Sequence, residues 1–68
     1  MTHTAEDFVP GESVRYIPFH AGGDIKHPDC ENGVVSSQNG KYVFVKYWRN
    51  GMLQNTAQAT QPEDLVKT

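Results

Sequence analysis

Lys41-Tyr42-Val43-Phe44-Val45-Lys46-Tyr47-Trp48-Arg49-Asn50-Gly51-Met52-Leu53 is the stretch whose reading decides the fold. Its first eight residues are β-branched or aromatic apart from two lysines, the composition of a strand on a pleated, half-buried surface. An Asn-Gly pair ends the run, and such pairs take the positive φ values that tight hairpin turns demand. Residues 52–60 then return as the next strand. Two registers are open. A two-residue Asn50-Gly51 loop sets Val45 opposite Thr56 and Val43 opposite Gln58, mixing polar and apolar side chains on one face. A three-residue loop with Gly51 in a left-handed bulge sets Val43 opposite Ala57 and Tyr47 opposite Leu53, and the pattern favours it. Val43, Val45, Tyr47, Leu53 and Ala57 would then share the inner face.

Upstream, Gln38-Asn39-Gly40 is a second reversal of the same chemistry, preceded by a strand over residues 33–37. Earlier still, Pro10-Gly11-Glu12 launches the alternating strand 13–17, and Pro18 stops it. Residues 18–32 hold little apolar content and two turn clusters, Gly22-Gly23-Asp24 and His27-Pro28-Asp29. A loop of this length inside a small domain is usually functional. At the far end, Pro62-Glu63-Asp64 reads as a short 3-10 turn with acids at its positive end. Leu65 follows as a core plug, and residues 66–67 as a last strand.

The sum is a mostly-β chain. It predicts a small SH3-like barrel of about five antiparallel strands, with a long loop after strand one and a short 3-10 turn before the last strand. Residues 1–8 read as a flexible polar tail, and residues 9–68 as the single domain. Sixty-eight residues leave room for one core only. A chain this short buries about 60% of its unfolded surface, so its stability is modest. Val14, Tyr16, Val34, Val35, Val43, Val45, Tyr47 and Leu65 are the candidate core. The barrel form also removes the exposed edges of a short open sheet.

Composition narrows the function. Cys30 is the lone cysteine, so no internal disulfide forms. The polar start resembles no signal peptide, and no apolar run approaches the roughly 20 residues that span a bilayer. The expectation is a soluble, cytoplasmic protein without a membrane role. Six basic residues against eight acidic ones, a net charge of −2, give no broad field for phosphates.

Four strings carry a resemblance: His27-Pro28-Asp29-Cys30-Glu31; Gly33-Val34-Val35-Ser36-Ser37; Val43-Phe44-Val45-Lys46-Tyr47; and Thr56-Ala57-Gln58-Ala59-Thr60 with Pro62-Glu63-Asp64-Leu65. They resemble small uncharacterised proteins encoded by phages and prophages, over residues 9–66. The resemblance implies expression in the cytoplasm of a bacterial host cell and brings no established chemistry. Gly33-Val34-Val35 and the strand after it also look like Tudor and KOW-type barrels.

Two groups of residues are candidates for function. In the long loop, His20, Asp24, His27 and Asp29 gather beside Cys30 and Glu31. On the third strand Tyr42, Phe44 and Trp48 point away from the inner face, with Arg49 beside them, and Trp and Tyr are favoured interface anchors. The favoured function is a non-catalytic binding module that engages a protein partner, a host protein or a second copy forming a homodimer, through these eight residues. It calls for no cofactor. One alternative is a nucleic-acid binder using Arg15, Lys41, Lys46 and Arg49, with stacking from Trp48 or Tyr42. Another is a metal-stabilised barrel with His20, His27, Cys30 and a carboxylate as ligands. Cys30 paired with His20 or His27 as a nucleophile and base is the weakest reading, because so small a barrel offers few pockets that exclude water.

Overall fold

Alternation decides the centre of the molecule. In a computed structural model describing residues 4–68, Val43, Val45 and Tyr47 are buried, while Phe44, Lys46 and Trp48 between them face outward. Six antiparallel strands form one sheet: β1 (Ser13–Tyr16), β2 (Glu31–Gln38), β3 (Val43–Arg49), β4 (Met52–Leu53), β5 (Gln58–Thr60) and β6 (Leu65–Lys67). They run in the order β4-β3-β2-β1-β6, with β5 also on β3. Among the described residues there are also three short 3-10 turns, Ala5–Asp7, Phe19–Ala21 and Pro62–Asp64.

The expected closure is not formed. β5 pairs with β3 and β6 with β1, but β5 and β6 do not pair with each other, so the sheet stays open. The turn Pro62–Asp64 links them instead, and Leu65 is buried behind it as expected.

Both reversals exist, with different geometry from that expected. Asn50 and Gly51 take φ of 54° and 76°, and Arg49 faces Met52 while Trp48 faces Leu53. Positive φ at both central residues marks the two-residue type I′ turn, not the three-residue bulge. The polar–apolar pairing that argued against this loop persists, with different partners. Val43 faces Thr60 and Val45 faces Gln58, two residues further along than an unbroken strand would place them. Residues 54–57 absorb the excess and split the expected fourth strand into β4 and β5. Leu53 and Ala57 consequently leave the inner face, and Thr60 enters it, hydrogen-bonded to the Tyr47 hydroxyl at 2.7 Å. Around Gly40 the turn is longer, and β3 starts at Val43 and not at Lys41. The Asn39 carboxamide accepts from the backbone N–H groups of Lys41 (2.9 Å) and Tyr42 (2.8 Å).

β2 starts at Glu31, earlier than expected, and carries a bulge at Ser36. Val35 faces Val45, but Ser37 faces Phe44, leaving one residue over. Bulges of this kind bend the strand and raise its twist. Gly33 is needed within it. A Cβ there would lie 2.5 Å from the Val45 side chain and 2.9 Å from the Lys46 carbonyl oxygen.

The expected tail over residues 1–8 lies partly outside the described residues, and from Thr4 onward the chain is folded, with Ala5 and Phe8 in the core. The Asp7 carboxylate accepts the Thr4 N–H at 2.9 Å and closes a turn that buries Ala5 and Phe8. Gly11 N–H then donates to the Val35 carbonyl and Val35 N–H to that of Glu12, at 2.8 and 2.9 Å. Phe8 joins Val14, Val35, Val43, Val45, Tyr47 and Leu65 in one cluster, with Tyr16 packed on it. Val34, expected in the core, is only half-buried, because it alternates with Val35 and faces away from the cluster.

Candidate functional site

Residues 17–30 form a folded loop built from successive turns. Ala21, Asp24, His27 and Cys30 each donate a backbone N–H to a carbonyl three residues earlier, at 2.9 to 3.1 Å. Gly22 takes φ of 62°, a left-handed value that suits glycine and ends the Phe19–Ala21 turn. Asp24 works locally: its carboxylate accepts the Lys26 N–H at 3.0 Å, an Asx turn. Arg15 pins the loop to the sheet, donating to the Ile25 carbonyl (2.6 Å) and to Asn32 (2.8 Å).

These turns bring His20, His27 and Asp29 together. His20 Nε2 lies 2.7 Å from an Asp29 oxygen, and the two imidazoles meet edge to face with centroids 5.3 Å apart. The Asp29 N–H donates to His27 Nδ1 at 3.1 Å. The hydrogen bond from His20, aided by the nearby imidazoles, holds the Asp29 carboxyl below its ordinary pKa. Cys30 stands apart from this cluster; its thiol donates to the Asp24 carbonyl at 3.3 Å. Of the four ligands in the metal-stabilised alternative, His20, His27 and a carboxylate, Asp29, lie together, and Cys30 does not join them.

The strand group is distributed differently. Trp48 is 47% exposed beside Leu53 and Met52, whereas Tyr42 and Phe44 are half-buried. Arg49 donates to Glu31 at 2.9 Å. Among the described residues, no hydrogen bond, ion pair or ring contact joins Tyr42, Phe44, Trp48 or Arg49 to the loop cluster. Of the four cations assigned to nucleic acid, Arg15 and Arg49 are engaged in these internal pairs, and Lys41 lies over the Tyr42 ring.

Two depressions flank the turn Pro62–Asp64. One, of about 280 Å³, is polar and lined by Tyr16, Glu31, Tyr47, Gln58, Thr60 and Asp64. Burial there pushes the Tyr47 phenol up to about 12. The other, of about 410 Å³, is an apolar groove formed by Ile17, Pro18, Phe19, Ile25 and Val66 with Glu63 and Asp64 at its rim. Phe19 is 95% exposed and Ile25 54% exposed. Neither residue belongs to the eight candidates named from the sequence. The signal available was an aromatic directly after the strand-ending Pro18, a position that no inward alternation reaches.

Comparison with known proteins returns no match: no family model, no curated protein and no solved structure is similar to this chain. Among the described residues no helix is long and apolar enough to cross a membrane.

Proposed function

We infer that this chain is a small non-catalytic binding module, a partly opened SH3-like barrel that engages a protein partner through the groove between Phe19, Ile25 and Val66. The nearly complete exposure of Phe19 carries the reading. A large apolar ring in water gains about 25 cal/mol for each Å² a partner covers, and exposed apolar patches commonly mark interaction surfaces. Glu63 and Asp64 on the rim favour a partner segment that sets a basic residue beside an apolar one. The bend at Ser36 and the turn linking β5 to β6 are what support the barrel assignment. On this reading the partner is a host protein, as the likeness of residues 9–66 to phage-encoded strings implies, with the bacterial cytoplasm as the setting.

Cross-linking capture from bacterial lysate, run beside sedimentation of the isolated chain, tests this. Phe19→Ala with Ile25→Ser alters two exposed side chains and leaves the core intact. Loss of a captured protein in that variant is the expected result. Equal capture by both forms, or a monomer that captures nothing, overturns it.

A further inference from the structure

We propose that His20, His27 and Asp29 form a surface site for one divalent transition-metal ion of the zinc class. It stands independently of the partner groove. Two imidazoles and a carboxylate are the donor set that zinc accepts when three protein ligands leave a fourth position to water. One donor atom from each residue lies within 4.8 Å of the others. Tetrahedral bonds of roughly 2.0–2.1 Å require separations a little above 3 Å, so the donor atoms need to close by about 1.5 Å at most.

The scaffold is set before any ion arrives. The loop's backbone turns, the Asx turn at Asp24 and the clamp from Arg15 position all three side chains without help from a metal. Ion binding displaces the proton shared by His20 Nε2 and Asp29: in a neutral His20 it moves to Nδ1, and from an imidazolium it is released to solvent, so the ligated ring carries its one proton on Nδ1. The His27 Nδ1 lone pair that accepts the Asp29 N–H is lost either way: ligation through Nδ1 takes it, and ligation through Nε2 moves the ring proton onto Nδ1. The Asp29 N–H bond to Nδ1 is therefore given up. That loss, with the exposure of His20 and Asp29, makes the site weaker than a closed four-ligand zinc centre and readily exchangeable. Cys30 takes no part, because its thiol is directed to the Asp24 carbonyl.

The test is zinc titration calorimetry on the untagged full chain carrying His3→Ala, so that only the loop imidazoles report. Imidazole proton shifts of His20 and His27 are followed by NMR on the same protein, which needs no further variant. The expected result is one zinc per chain with both rings shifted. Affinity should fall at least about tenfold in His27→Ala and in Asp29→Asn, and stay unchanged in Cys30→Ser. Absence of saturable binding, unshifted imidazoles, or affinity that survives both ligand variants overturns the proposal, as does loss of binding in Cys30→Ser.

Discussion

Replacing Phe8 by alanine removes a ring that is 1% exposed, from a segment whose polar surroundings suggest a tail. The ring packs among Val14, Val35, Val43 and Leu65, and the Lys67 ammonium lies 5.5 Å from its centre. Truncating a buried phenylalanine costs about 3–5 kcal/mol, the transfer term plus the cavity left behind. Small domains hold about 0.05–0.15 kcal/mol per residue, which for 68 residues comes to roughly 3–10 kcal/mol. Phe8→Ala therefore removes a third or more of the stability and can bring the domain to its unfolding midpoint at room temperature. Urea unfolding followed by circular dichroism measures this. With a slope of about 1 kcal/mol per molar, the midpoint falls by roughly 3 M or the native baseline disappears. Val9→Ala is the control, because Val9 is 58% exposed and its loss should stay within about 0.5 kcal/mol. Phe8→Ala indistinguishable from Val9→Ala would refute the placement of this segment in the core.

Gly33→Ala should destabilise by about 1–3 kcal/mol, since the new methyl meets the Lys46 carbonyl oxygen and the Val45 side chain, and a backbone atom has little room to yield. A thermal melt matching wild type would show that β2 and β3 pair in another register. Tyr47 supplies a pH test. Its phenol is raised in the folded state from 10.0 to about 12. Its contribution is complete below pH 10 and is lost as pH rises through about 12. Denaturant midpoints taken across that window should fall more steeply for wild type than for Tyr47→Phe, and parallel curves would contradict the burial of that hydroxyl.

What the sequence disclosed is what short-range chemistry controls. Two Asn-Gly reversals, the inward alternation of Val43, Val45 and Tyr47, the turn at Pro62 and the plug at Leu65 all follow from residues within a few positions of one another. The split between β4 and β5 was hidden because Gln54-Asn55-Thr56-Ala57 contains neither proline nor glycine; the break arises from fitting Thr60, and not Gln58, opposite Val43. Phe8 was hidden because nothing local to it predicts that the underside of β1 and β2 needs a cover. In the loop, composition named His20 and His27, which the turns bring together, but could not show that Asp29 and not Cys30 lies against them. That choice depends on where each side chain points after Arg15, ten positions upstream of Ile25, has clamped the turn.

The pairing of β1 with β6 sets an order of assembly. Gly33 meets Tyr47 across a short connection, whereas Val14 meets Lys67, 53 positions further on. Local hairpins close in about 1–10 μs, while contacts between distant segments must first overcome the entropy of closing a long loop. The β2–β3 hairpin therefore has the kinetic advantage as a nucleus, and β6 docks late. Opening of the same seam would uncover Leu65 and the Phe8 ring without breaking the pairing of β2 with β3.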